Sequence, residues 1–141
     1  MSSVEHNDWN SQIIQEFRTH GGEVGGDFAG ASMILVHHRG RVSGVERVTP
    51  LVYQSVPTGY AVFASKAGAT SDPDWLHNLL AYPQTRVEVG SEVVAVTARV
   101  AEHAERDRIW ELQKTGAPGF AEYEKSAAPR IIPVVILEPR T

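Results

Sequence analysis

Three short segments gather the side chains that can hold a negatively charged ligand. Arg39-Gly-Arg-Val-Ser-Gly44 offers two guanidinium groups, a hydroxyl and glycine-exposed amides within one turn, chemistry suited to phosphate or carboxylate oxygens. Ala64-Ser-Lys-Ala-Gly68 is a second amide-rich loop and adds a lysine. Pro73-Asp-Trp-Leu-His-Asn78 opens a helix whose N-terminus also attracts an anion. From Ala29 to Ser71 the bases are Arg39, Arg41, Arg47 and Lys66 and the single acid is Glu46, a local +3 in a chain whose net charge is −4. That balance disfavours general nucleic-acid binding and points to a site for a small anion, such as a phosphorylated cofactor.

Other chemistries lack their residues. With no cysteine among 141 residues, disulfide scaffolds, thiolate metal sites and cysteine nucleophiles are excluded. His37 and His38 are neighbours on an extended stretch and point to opposite faces, and His6, His20, His77 and His103 show no helical i,i+4 pairing, so no metal site is expected. Ser65 lacks a Gly-x-Ser-x-Gly elbow, Ser43 lies in a turn, and Asp72 and Asp74 read as helix-start residues; a hydrolase is improbable. Neither a phosphate loop nor a Gly-x-Gly-x-x-Gly fingerprint is present.

The elements that must position these residues follow from periodicity. A helix is expected over Asn7–His20, started by Asn7 or Asp8, with Trp9, Ile13 and Phe17 on one face. Its connector, Gly21–Gly30, holds five glycines and reads as mobile, leaving that helix loosely packed or set against a partner or membrane surface. Strands are expected over Met33–His38, Arg47–Gln54, Tyr60–Ala64, Arg86–Val89, Val93–Val100 and Ile131–Leu137, the last buried on both faces with Pro133 near its start. A short helix over Pro73–Ala81 is capped by Ser71 or Asp72. Another spans Ala104–Lys114, with Ile109, Trp110 and Leu112 inward and a Glu102–Arg106 ion pair, and a last stretch runs over Gly119–Ser126. Six strands with flanking helices predict an α+β fold built on an antiparallel barrel or sheet. The division expected is residues 1–28 for helix and connector and 29–141 for the barrel. The polar start, Met1–Asn10, and the lack of a long apolar run favour a cytoplasmic protein, with peripheral membrane association open through the first helix.

In combination, Gly40-Arg-x-Ser-Gly44, Arg47-x-Thr-Pro-Leu51, Ala64-Ser-Lys-x-Gly68 and Pro73-Asp-Trp-x-His-Asn-Leu79, with Ala98–Ala101 and Ile132–Pro139, resemble the deazaflavin-dependent nitroreductases. The resemblance covers nearly everything from Ser32 onward. It implies a split β-barrel, the anionic coenzyme F-420, and hydride transfer from C5 of the reduced deazaflavin to an electron-poor acceptor: a quinone, an enone or a nitroaromatic compound. By the same resemblance Arg41, Val42, Ser43 and Arg47 belong to the phosphate turn, and Val48, Thr49, Pro50, Leu51 and Val52 to the strand against the ring. Ala64, Ser65 and Lys66 lie near ring and phosphate, and Asp74, Trp75, His77 and Asn78 complete the pocket. Ser65 and Tyr123 are the candidates for hydrogen bonding during the reaction, and Phe120 and Tyr123 for a movable lid. Two positions depart from the pattern: Val42 stands where members often carry lysine, and Phe120 where some carry tyrosine. Split barrels commonly dimerise, which makes a homodimer an expectation by analogy. The rival readings are an FMN- or haem-binding split barrel and a non-catalytic deazaflavin carrier.

Overall fold

The computed structural model describes residues 2–28 and 30–140, with backbone alone for 2–9 and Asp27. Runs rich in Val, Ile and Leu form six strands, β1 (Met33–Arg39), β2 (Glu46–Val56), β3 (Gly59–Phe63), β4 (Gln84–Val89), β5 (Glu92–Val100) and β6 (Val134–Pro139). They close a barrel in the order β1-β2-β3-β6-β5-β4, every pair antiparallel. Four helices surround it: α1 (Ser2–Thr19), α2 (Asp74–Ala81), α3 (His103–Gly116) and α4 (Gly119–Ala127). The expected α+β barrel is therefore the observed one.

Side-chain alternation divides the core in three. Ile34, Val36, Val62, Val87, Val96, Val135 and Leu137 point inside, where Trp75, Leu76 and Leu79 of α2 pack onto them. The opposite faces of β3 and β6, through Ala61, Phe63, Val134 and Ile136, meet Ile109 and Trp110 of α3. Met33 and Leu35, on the outer face of β1, receive Phe17 of α1 and Val24, with Ile13 and Ile14 alongside. Each fully buried aliphatic contributes about 1.5–3 kcal/mol relative to exposure. β6 carries four consecutive buried residues, Val134 to Leu137, because both its faces are covered, as expected; Pro133 precedes it rather than interrupting the ladder.

Several local expectations are corrected. α1 begins five residues earlier than Asn7, so Asn7 and Asp8 do not start it, and the Trp9 side chain lies outside the described residues. Far from packing loosely, α1 turns its apolar face to the barrel, with Phe17 at 1% exposure. Arg18 adds a bidentate pair to Glu88, 2.9 and 2.6 Å, whose other partner is His37 at 2.7 Å. The Arg18 hydrogen bond, set against partial burial and aided by His37, holds the Glu88 carboxyl down at about 2. The connector is bonded through Gly22 N–H to Phe17 O and Gly25 N–H to Glu16 Oε1. Pro73 holds the cap position of α2, because Asp72 is drawn to Arg130 instead. Leu112 is exposed, since Ile109, Trp110 and Gln113 are the residues of α3 that face inward. Arg106 turns to the Ile132 carbonyl and to Asp107, not to Glu102. No helix among the described residues is long and apolar enough to cross a membrane.

The β2–β3 hairpin gives a sharp test of barrel closure. Gly59 sits at φ +151°, and a Cβ there would lie 2.2 Å from the Leu137 carbonyl oxygen of β6. Gly59→Ala is expected to lower unfolding stability by more than about 2 kcal/mol through this overlap, read by denaturant titration; a loss under about 0.5 kcal/mol would contradict the close β3–β6 approach.

Candidate functional site

At one end of the barrel the β1–β2 turn, the start of β2, the loop after β3 and the start of α2 converge on a cleft of about 750 Å³, within the range of ligand pockets. The turn is shaped by its glycines. Gly40 N–H donates to Val45 O at 2.9 Å and Gly44 N–H to Gly40 O at 2.8 Å, with Gly44 at φ +72°. A Cβ on Gly40 would meet the Ser43 hydroxyl at 2.4 Å. The hydroxyl accepts from Val45 N–H at 3.2 Å, leaving Arg41 and Val42 at the exposed tip.

Beneath the turn lies a buried polar chain. The Arg41 main-chain N–H, which can only donate, bonds Asn78 Oδ1 at 3.0 Å. That orients the amide, so Asn78 Nδ2 donates to His38 Nδ1 at 3.0 Å. The His38 proton is thereby assigned to Nε2, which donates to Thr49 Oγ1 at 2.8 Å. Burial, reinforced by the Arg47 charge and by His37 and opposed by Asp74, pushes His38 down to about 4, so the ring is neutral near pH 7. One asparagine of α2 thus joins the turn, β1 and β2.

The cleft walls combine cations with an apolar floor. Arg41, Arg47 and Lys66 line it, and among the described residues none forms an ion pair, whereas Arg18, Arg86, Arg99, Lys114 and Arg130 each do. Among the described residues Lys66 Nζ reaches only the Ser71 hydroxyl, at 3.4 Å. Asp74 is the one acid in the lining among the described residues; Val48, Pro50, Leu51, Phe63 and Trp75 supply the apolar surface.

Thirteen of the residues singled out from sequence meet here: Arg41, Val42, Ser43, Arg47, Val48, Thr49, Pro50, Leu51, Ser65, Lys66, Asp74, Trp75 and Asn78. The lining does not include Val52, Ala64, His77, Phe120 or Tyr123. Val52 faces α1, by strand alternation from Leu51, and Ala64 is sealed in the barrel interior. Phe120 stacks edge-to-face on Phe63 at 5.5 Å and on Tyr123 at 5.3 Å, one ring behind the cleft wall. Six lining residues were not among the site residues named from sequence: Asn10, His38, Gly40, Phe63, Ala67 and Pro73. For His38 the signal was available, because it shares strand parity with Ile34 and Val36. Among the described residues no group of three His, Asp or Glu side chains is placed to hold a metal ion.

The family model described as F420H(2)-dependent quinone reductase matches residues 9–139. A Mycobacterium tuberculosis protein named F420H(2)-dependent quinone reductase is 33% identical over 128 residues, spanning 88% of this chain and 85% of its own. The solved F420-H2 dependent reductase FDR-A is 36% identical with a TM-score of 0.69, covering 76% of this chain and 94% of that one. A second solved chain, described as a domain-swapped dimer, is 32% identical with a TM-score of 0.70, covering 96% and 99%.

The neutral His38 makes the polar chain pH-sensitive. Its folded value of about 4 lies below the ordinary 6.5, so the unfolded chain takes up the proton first and stability falls as pH drops from about 6.5 toward 4. His38→Gln removes that component. The stability advantage of wild type over His38→Gln is expected to shrink across this interval in thermal melts; a constant difference would contradict a buried neutral ring.

Proposed function

The chain belongs to the F420H(2)-dependent quinone reductase family, and from that premise we propose a cytoplasmic oxidoreductase that binds coenzyme F-420 in the barrel-end cleft and reduces a quinone there. The observation that carries the site assignment is the set of three cations, without an ion-pair partner among the described residues, around an apolar floor. F-420 joins a flat deazaflavin to a phosphate and an anionic tail, and the cleft offers a counterpart to each: Pro50, Leu51 and Trp75 for the ring, Arg41, Ser43 and Arg47 for the phosphate. The chemistry contributed by the bound cofactor is a hydride from its reduced ring to the acceptor.

The protein's own part is binding and orientation. Trp75 and Leu51 are packed into the barrel interior, so the surface offered to a planar ring is rigid. Arg41 is held by its main chain to Asn78, which leaves the guanidinium to meet the anion in a low-entropy setting. Fixing donor and acceptor in one cleft contributes several kcal/mol by positioning alone. Quinone reduction adds a hydride and a proton; the Ser65 hydroxyl, in the lining and partly exposed, is our candidate to hydrogen-bond the acceptor oxygen while water delivers the proton. Tyr123 is not retained in that role, because it does not line the cleft.

A homodimer is part of the same reading. Its support is the relative described as a domain-swapped dimer, together with a connector here in which Gly21, Gly22, Gly26 and Gly30 all take positive φ. Light scattering is expected to report twice the chain mass; a monomer at micromolar concentration would remove this element and leave the cleft assignment intact.

Fluorescence titration tests the site. F-420 is expected to bind and FMN to bind much more weakly. Arg41→Ala is expected to raise the F-420 dissociation constant about tenfold, with a smaller effect at high salt, because a charge-assisted contact is lost. An unchanged constant would remove Arg41 from the phosphate site.

A further inference from the structure

Arg130 lies between α4 and β6, outside every segment to which the sequence drew attention. Its side chain is 12% exposed and makes five hydrogen bonds to the loop that follows β3. Nε donates to Ala69 O at 3.1 Å; Nη2 donates to Ala69 O at 2.6 Å and Ser65 O at 3.0 Å; Nη1 donates to Ala64 O at 3.0 Å and Asp72 Oδ1 at 2.8 Å. The planar fork of a guanidinium is suited to holding several carbonyls in one plane, and a lysine is not.

The gripped loop is strained and backed by α4. Lys66 and Ala67 sit at φ +47° and +52°, a region that non-glycine residues rarely adopt. A Cβ on Gly68 would meet Ser126 Cβ at 2.9 Å and Tyr123 Cα at 3.1 Å, so the turn has no room to retreat. A trans peptide sends N–H opposite to C=O. With the Ala64 and Ser65 carbonyls turned onto Arg130, the Ser65 and Lys66 N–H groups point away from it, and Ser65, Lys66 and Ala67 line the cleft. Within the protein, among the described residues, these two amides donate to no backbone carbonyl.

We infer that Arg130 is a positioning residue for cofactor binding: from behind the loop it holds the strained 64–72 segment so that the Ser65 and Lys66 amides and the Lys66 ammonium are presented to the anionic, carbonyl-bearing F-420. This rests on the F-420 reading above. The test uses the full chain and Arg130→Lys, which keeps the charge and loses the fork. The F-420 dissociation constant is expected to rise at least tenfold. Met33→Ala, a cavity on the outer face of β1 at the strand end remote from the β1–β2 turn, serves as a control for general destabilisation and is expected to leave F-420 affinity within about twofold of wild type. Equal affinities for Arg130→Lys and wild type, or equal losses in Arg130→Lys and Met33→Ala, would overturn the inference. A second readout needs no substitution: saturating F-420 is expected to slow hydrogen exchange at the Ser65 and Lys66 amides at least tenfold, and unchanged exchange with F-420 demonstrably bound would overturn it. If wild type fails to bind F-420, it is the functional reading that falls, and this inference falls with it.

Discussion

The site depends on one buried amide. Asn78 is 4% exposed and has both ends of its carboxamide occupied, by the Arg41 main chain on one side and the His38 ring on the other. Burying such a group without partners would cost about 1–3 kcal/mol for each unsatisfied end, so α2, the β1–β2 turn and the ends of β1 and β2 are locked to one another. Because Arg41 N–H can only donate, the direction of every later bond in the chain through His38 to Thr49 is determined. The neutral state of His38 then follows: an imidazolium would turn an N–H toward the Nδ2 donor of Asn78, in a place already near the Arg47 charge.

The rest of the molecule makes this possible by spending its other charges elsewhere. Arg18, Arg86 and Arg99 each sit on a carboxylate, and Arg130 is absorbed by a loop. Among the described residues Arg41, Arg47 and Lys66 form no ion pair around the cleft, an arrangement that raises the energy of the empty protein by mutual repulsion and lowers it when an anion arrives. The left-handed Lys66–Ala67 pair is a second cost accepted at the same place, sustained by the Arg130 bonds and the close packing of α4 on Gly68.

Much of this was legible in the sequence. Strand alternation, the Arg39–Gly44 turn and the Pro73 helix start are local signals, and an antiparallel barrel or sheet with an anion-binding turn follows from them, while most of the thirteen lining residues were named through the family resemblance. What was not legible is non-local. The alternation of β2 sends Leu51 inside and Val52 toward α1, and only the docked helix shows that Val52 is spoken for. Leu112 appeared to be a core residue from spacing alone, but which stripe of α3 faces the barrel is decided by Phe63 and Ile136 across the contact. Asp72 looked like a helix cap; Arg130, 58 residues away, is the stronger partner for a carboxylate. Phe120 and Tyr123 looked like a lid, and Phe63 and Trp110 instead hold Phe120 in an aromatic stack. The match to the F420H(2)-dependent quinone reductase family spans residues 9–139, a range that includes the turn, loop and helix start that the residues alone had marked.

The most direct test is a crystal structure of this chain with F-420 bound. The account predicts the phosphate held between Arg41, Ser43 and Arg47, the ring against Pro50, Leu51 and Trp75, and the Asn78–His38–Thr49 bonds unchanged beneath them. A cofactor seated in a second cleft, beside Arg86 and Arg140, with Arg41 and Arg47 left facing solvent, would contradict it.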